Sequence, residues 1–308
     1  MSAQRLAIKI DVDTDRGTRE GVPALRDLLQ KKGVPATFLF SLGPDNTGRA
    51  IRRIFRPGFF RKVSRTSVVS VYGLRTLMNG VLLPGPDIAR RNAAVMRSVA
   101  EAGFETGIHC WDHVFWQDRL FALSEARVLE EFGKARRAYE DVFGTPARTA
   151  GAAGWQANAA SLAAYDAAGL DYATDVRGGA PFFPAVGARR FKTLQIPTTL
   201  PTLDELMGRP EYPLAKLADM LLARPEPGKL DVFTIHAEIE GMSMRDWFGQ
   251  FIDRAKERGV AFVSLADEAA ALNARRDAVP VASLDQGEVD GRSGTLAVQG
   301  ARIEERAA

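Results

Sequence analysis

Short apolar runs alternate with amphipathic stretches along most of this chain, and no other feature of the sequence constrains its fold as strongly. Leu6-Ala7-Ile8-Lys9-Ile10 is followed by a helical pattern over residues 19–32 and then by Ala36-Thr37-Phe38-Leu39-Phe40-Ser41, a strand-helix-strand opening. Gly33-Val34-Pro35 stops the helix, because Gly tolerates positive φ and Pro cannot continue a helix. The plan recurs. Helices are expected near 88–102, 124–143, 158–168, 213–223, 244–258 and 265–273, and strands in FETGIH and near 147–150, 170–175, 192–196, 230–235 and 260–263. Alternation sustained over about 270 residues points to a mainly parallel α/β sheet, either open or closed into a barrel of β/α units.

In such a sheet the polar residues at the C-terminal ends of strands carry the chemistry. The first strand delivers Asp11-Val12-Asp13-Thr14-Asp15 directly after its apolar run. Carboxylates leaving a core are costly unless partnered; they can cap the following turn, or one can ligate a metal while another acts as general base. The chain has three histidines. Two, His109 and His113, lie four residues apart after a strand, about one helical turn, a spacing that lets two imidazoles share an ion. Two surface histidines would need no such explanation. A carboxylate with two imidazoles leaves coordination positions for water and substrate, as in catalytic sites. That donor set suits one divalent ion, zinc foremost, with cobalt, manganese, nickel or iron tolerated. His236 closes Leu230-Asp231-Val232-Phe233-Thr234-Ile235, where an imidazole can donate a proton to a departing amine or simply make a local hydrogen bond.

Residues 46–86 contain seven Arg and one Lys but no Asp or Glu, interleaved with Ile, Phe, Val and Leu. The block looks like a basic, apolar insertion in the β/α plan. It suits contact with anionic lipid or phosphate; an ordinary solvated basic face is the plainer alternative, and nucleic acid is not expected as a partner. After about residue 275 the chain turns polar and loses periodicity, so residues 274–308 are expected to be a disordered tail. A single cysteine, Cys110, and charge within the opening MSAQRLAIKIDVD favour a cytoplasmic protein over an exported one.

Three motifs make the chain resemble the polysaccharide deacetylase, or NodB-like carbohydrate esterase, family. Asp11-Val12-Asp13 is similar to the family's first motif, His109 to His113 to its second, and Thr234-Ile235-His236-Ala237-Glu238 to its last. The resemblance implies an irregular (β/α) barrel over residues 1–273, a metal held by Asp13, His109 and His113, Asp11 as catalytic base and His236 as general acid. Because Val12 separates acids that are adjacent in many members, the two carboxylates can exchange roles. The third motif usually includes an Arg that orients the base, but Ala150-Gly151-Ala152-Ala153-Gly154-Trp155 has none. Arg177, after Asp175 at an expected strand end, is the candidate replacement, or else forms a surface salt bridge. Trp155, Asp175 and Glu238 are further supporting candidates.

Longer stretches, among them IDVDTDRGTREGVP, HCWDHVFWQ and QIPTTLPTLDE, resemble the branch of the family that deformylates a formamido-arabinose carried on undecaprenyl phosphate. That implies a polyprenyl-phosphate-linked sugar as substrate and peripheral contact with the cytoplasmic face of the inner membrane. It also implies a part in lipid A modification and polymyxin resistance. Arg52, Arg53, Phe59, Phe60 and Arg61 are then the lipid-contact candidates. Two rivals make less use of the histidines: a haloacid-dehalogenase-like phosphatase built on Asp11, and a lipid-binding protein built on the basic block.

Overall fold

The computed structural model describes residues 4–50, 74–224 and 228–304. Its strands are β1 (Arg5–Val12), β2 (Ala36–Ser41), β3 (Glu105–Cys110), β4 (Thr149–Ala150), β5 (Tyr172–Ala173), β6 (Phe183–Val186), β7 (Arg189–Arg190), β8 (Leu194–Gln195), β9 (Leu230–His236), β10 (Ala261–Phe262), β11 (Val281–Glu288) and β12 (Thr295–Arg302). The main sheet is parallel throughout. From β1 it runs through β2, β3, β4 and β5 to β8, and β9 pairs with β1 along the other edge. Beyond β8 the backbone N–H groups of Thr199 and Leu200 both donate to the Val232 carbonyl of β9. These bonds draw the two ends of the sheet together into an irregular (β/α) barrel with helices outside.

β1 is paired on both edges and buried on both faces, so its sequence reads as an apolar run rather than an alternation. The two faces nevertheless differ. Leu6, Ile8, Ile10 and Val12 pack outward with Val22, Leu25 and Leu29 of the Val22–Lys32 helix. Ala7 points inward to a core shared with Leu230 and Val232 of β9 and with Leu194, and Lys9 and Asp11 follow it on that face with period two. Helices over Ile88–Glu101 and Glu125–Phe143 cover β2 and β3. No helix among the described residues is long and apolar enough to cross a membrane.

The expected disordered tail is not what the structure shows. β11 and β12 form an antiparallel hairpin, and β11 pairs in parallel with β6, giving a second sheet ordered β12-β11-β6-β7. Ala282, Leu284, Leu296 and Ala297 are buried beneath it. The hairpin buries one face only, and its partner β6 lies about a hundred residues earlier, so local periodicity carried little of the signal. The lipid-contact candidates Arg52, Arg53, Phe59, Phe60 and Arg61 lie outside the described residues.

Candidate active site

Asp11 and His236 are register partners on β1 and β9, so the two side chains leave adjacent strands at the same level on the inner face. Asp13 follows where β1 ends, and His109 is the penultimate residue of β3. His113 opens the next helix, whose N-cap Asp112 accepts a hydrogen bond from Phe115 N–H and another from the Asn46 amide. Strand, turn and helix start therefore bring His109 and His113 together, with ring centroids 5.3 Å apart. The two residues are not on one helical turn, as their spacing suggested. The donor atoms of Asp13, His109 and His113 all lie within 4.8 Å of one another.

This cluster fits a cation. Asp13 Oδ1 is buried without a hydrogen-bond donor and faces His109 Nε2 at 3.3 Å and His113 Nε2 at 3.5 Å. His109 Nδ1 lies 2.6 Å from the Gly151 carbonyl; it must donate there, which leaves the Nε2 lone pair of the neutral ring pointing at a carboxylate. Only a proton or a metal ion relieves that opposition. The protonation balance agrees. Burial opposes the charged form of His109, but Asp11 and Asp13 outweigh it and raise its pKa. Burial likewise opposes the Asp13 carboxylate, but the neighbouring imidazoles hold its pKa well below the ordinary carboxylate range. A divalent ion would displace the proton.

The cation beside Asp11 is Lys9, not Arg177. Lys9 is fully buried, and its Nζ lies 3.2 Å from Asp11 Oδ2 and donates to the Thr174 carbonyl at 3.1 Å. Asp11 Oδ1 remains without a donor, 3.7 Å from His109 Nδ1. Arg177 instead bonds Glu205 and the Leu200 carbonyl, in a buried rather than a surface pair. The Trp155 ring separates the two systems, with Lys9 Nζ 5.2 Å and the guanidinium carbons of Arg177 and Arg292 5.3 and 4.4 Å from its centroid. Lys9 was legible as the one charge in LAIKI, two residues before Asp11 on the same strand face; Glu240, below, had no comparable signal.

Other buried acids fasten this arrangement. Glu238 Oε1 accepts from Asp13 N–H, Thr14 N–H and the Thr14 hydroxyl, tying β9 to the loop after β1. Burial and then the charge of Asp13 push its carboxyl up to about 8, against those donors. Glu240 accepts from His236 N–H at 2.8 Å, and burial holds it at about 8 as well. The turns carrying these residues meet closely: a Cβ on Gly21 would stand 2.1 Å from the Ala237 carbonyl oxygen, so only glycine fits. Asp175 does not reach the cluster. It accepts from Ala152 N–H, Tyr165 and Gln195 and so positions the segment whose Gly151 carbonyl orients His109. Burial raises its pKa to about 6.

Residues 10–173 match the profile of the family described as "Polysaccharide deacetylase". The chain is 36% identical over 299 residues, 97% of its length and 96% of the relative, to the "Probable 4-deoxy-4-formamido-L-arabinose-phosphoundecaprenol deformylase ArnD" of Shewanella sediminis. A protein of the same name from Wigglesworthia glossinidia brevipalpis is 32% identical over 92% of this chain and 98% of the relative. Among solved structures, a Mycobacterium smegmatis protein assigned to the polysaccharide deacetylases superposes with a TM-score of 0.64 at 18% identity, covering 94% of this chain and 96% of that one. A CE4 family pseudoenzyme from Bacillus anthracis shares the fold at a TM-score of 0.52 and 15% identity, over 87% of this chain and 66% of that one. The likeness to these two solved structures, at 18% and 15% identity, speaks for the fold alone.

Proposed function

This chain belongs to the polysaccharide deacetylase family, and we propose that it removes the formyl group from 4-deoxy-4-formamido-L-arabinose carried on phosphoundecaprenol, giving formate and the free 4-amino sugar lipid. It is a hydrolase of amide C–N bonds. The observation that carries the reading is the convergence of Asp13, His109 and His113 beside the register pair Asp11 and His236. The choice of substrate rests on the names of the two relatives, each matched over more than nine-tenths of its length.

Asp13, His109 and His113 would hold one divalent ion, with zinc the best match to two imidazoles and a carboxylate, and cobalt, manganese, nickel or iron compatible with the same donors. When bound there, the ion supplies electrophilic activation of the formyl carbonyl and a lowered water pKa. Asp11 Oδ1, the oxygen that Lys9 leaves unpartnered, accepts the proton of the attacking water. The amide carbon becomes tetrahedral, and His236 delivers a proton to the nitrogen as the C–N bond breaks. Trp155, Asp175, Glu238 and Glu240 act through position: they hold Lys9, the Gly151 carbonyl, the Asp13 loop and the His236 backbone. Such a substrate places the enzyme at the cytoplasmic face of the inner membrane, in the aminoarabinose modification of lipid A that confers polymyxin resistance.

The test is incubation of the metal-loaded protein with the formamido sugar lipid and with its acetamido counterpart, following both acids and the free amine by mass spectrometry. Formate release well ahead of acetate release supports the deformylase. Preference for the acetamido compound would move the reading to deacetylation of another N-acylated sugar.

A further inference from the structure

Immediately beyond the metal-binding loop, two residues after Asp13, the side chain of Asp15 enters the wall of a cavity of about 570 Å³. Arg16, Arg19, Arg75 and Arg91 line it, against the carboxylates of Asp15 and Glu20, so four guanidinium groups face two acids. The acids are already engaged. Asp15 meets Arg19 at 3.0 Å and Arg91 at 3.7 Å and accepts from the Asn92 amide, while Glu20 meets Arg16 and Arg19. Arg75 is exposed and has no acidic partner among the described residues. The surplus is cationic and open to an anion.

The opposite wall is apolar. Leu83 lines the cavity, and the turn before it, closed by a hydrogen bond from Gly80 N–H to the Leu83 carbonyl, raises Val81 and Leu82 into solvent. Their exposures of 54% and 76% are among the largest of any apolar side chain described, and Leu83 is 38% exposed. A guanidinium with no acidic partner among the described residues, beside exposed aliphatic groups, suits an anionic headgroup that continues into hydrocarbon. Neither half suits a neutral polysaccharide.

We propose that this cavity binds the phosphodiester of a polyprenyl-phosphate-linked substrate, with Arg75 as the principal phosphate contact and Val81 to Leu83 receiving the first units of the lipid. The assignment rests on the substrate reading above and deepens it. In a 4-formamido pyranose joined to phosphate at its anomeric carbon, the formamide and the phosphate stand on opposite sides of one sugar ring. A cationic cavity next to the loop that carries Asp13 is where the second group falls when the first reaches the metal-binding cluster. Arg19 and Arg91 supply further positive charge, and Asp15 fixes both.

The binding experiment is independent of turnover. Decyl phosphate, inorganic phosphate and neutral decyl glucoside are titrated calorimetrically into wild-type protein, Arg75→Gln and Leu82→Ser. Losing one charged hydrogen bond weakens decyl phosphate binding about tenfold in Arg75→Gln. Leu82→Ser weakens decyl phosphate without changing inorganic phosphate, and added salt erodes the phosphate-dependent part. With the formamido sugar as substrate, the ratio of kcat/KM for the phospholipid form over its neutral methyl glycoside falls by a similar factor in Arg75→Gln. If decyl phosphate bound wild type and Arg75→Gln equally, the site would be wrong. Inorganic phosphate binding as tightly as decyl phosphate would overturn the lipid assignment. Absence of formate release from either sugar would overturn the deformylase reading while the titrations still judged the cavity.

Discussion

Lys9 and Asp11 face each other inside the barrel, ammonium to carboxylate at 3.2 Å, both buried and two residues apart on one strand. An intrastrand lysine thus supplies the positive charge expected from an arginine elsewhere. Lys9→Met leaves Asp11 buried without its cation, a loss that costs about 3–5 kcal/mol when one partner of a buried pair is removed. Turnover should fall by about 10²-fold, with the loss in kcat rather than in KM. Lys9→Arg should recover part of the stability and of the turnover. A Lys9→Met turnover equal to that of wild type would remove Lys9 from the chemistry.

Metal should stabilise the fold through the same three side chains. An ion at about a hundred times its dissociation constant adds about 2.7 kcal/mol, so Tm should rise by several degrees when zinc is added to chelator-stripped protein. His113→Ala and Asp13→Asn should lose that response and the bound metal measured by elemental analysis. An undiminished response in both variants would place the ion elsewhere.

Glu240 makes stability depend on pH in a defined direction. Its carboxyl is raised by burial from 4.5 to about 8, so the fold prefers the protonated form. That stability is complete below the ordinary carboxyl pKa and is lost as pH rises towards 8. Glu240→Gln removes the titration while keeping an oxygen for His236 N–H. Its Tm should decline less than that of wild type between pH 5 and pH 9, as thermal melts across that range would show; parallel declines would contradict the assignment.

The C-terminal hairpin should be part of the folding unit. Truncation after Ala278 removes β11 and β12, with the buried side chains of Leu284 and Leu296, each worth about 1.5–3 kcal/mol on burial. It also strips Arg292 from Glu205 and from the face of Trp155. The shortened protein should melt well below the full chain or fail to fold. A Tm equal to that of the full chain would make the hairpin an appendage.

The sequence was readable wherever local periodicity and strand pairing agreed. β2 falls on ATFLFS and the helix over 265–273 on its apolar pattern, because each element is specified by its own residues. His109 and His113 stood out by composition, yet their convergence comes from a strand followed by a capped helix start, which spacing alone cannot distinguish from one helical turn. The pairing of β11 with β6 and the salt bridge that occupies Arg177 both depend on contacts between distant segments. Glu240 was hidden for the same reason, since a glutamate four residues past His236 looks like any solvated acid until its carboxylate is found on the His236 backbone.

The most direct measurement compares Asp11→Asn with Asp13→Asn for formate release and bound metal in the same preparations. Asp11→Asn is expected to keep its metal and lose about 10²–10⁴-fold in turnover, the range for a general base, whereas Asp13→Asn should lose metal and activity together. Near-normal turnover by metal-loaded Asp11→Asn would contradict the assignment of the base and with it the mechanism.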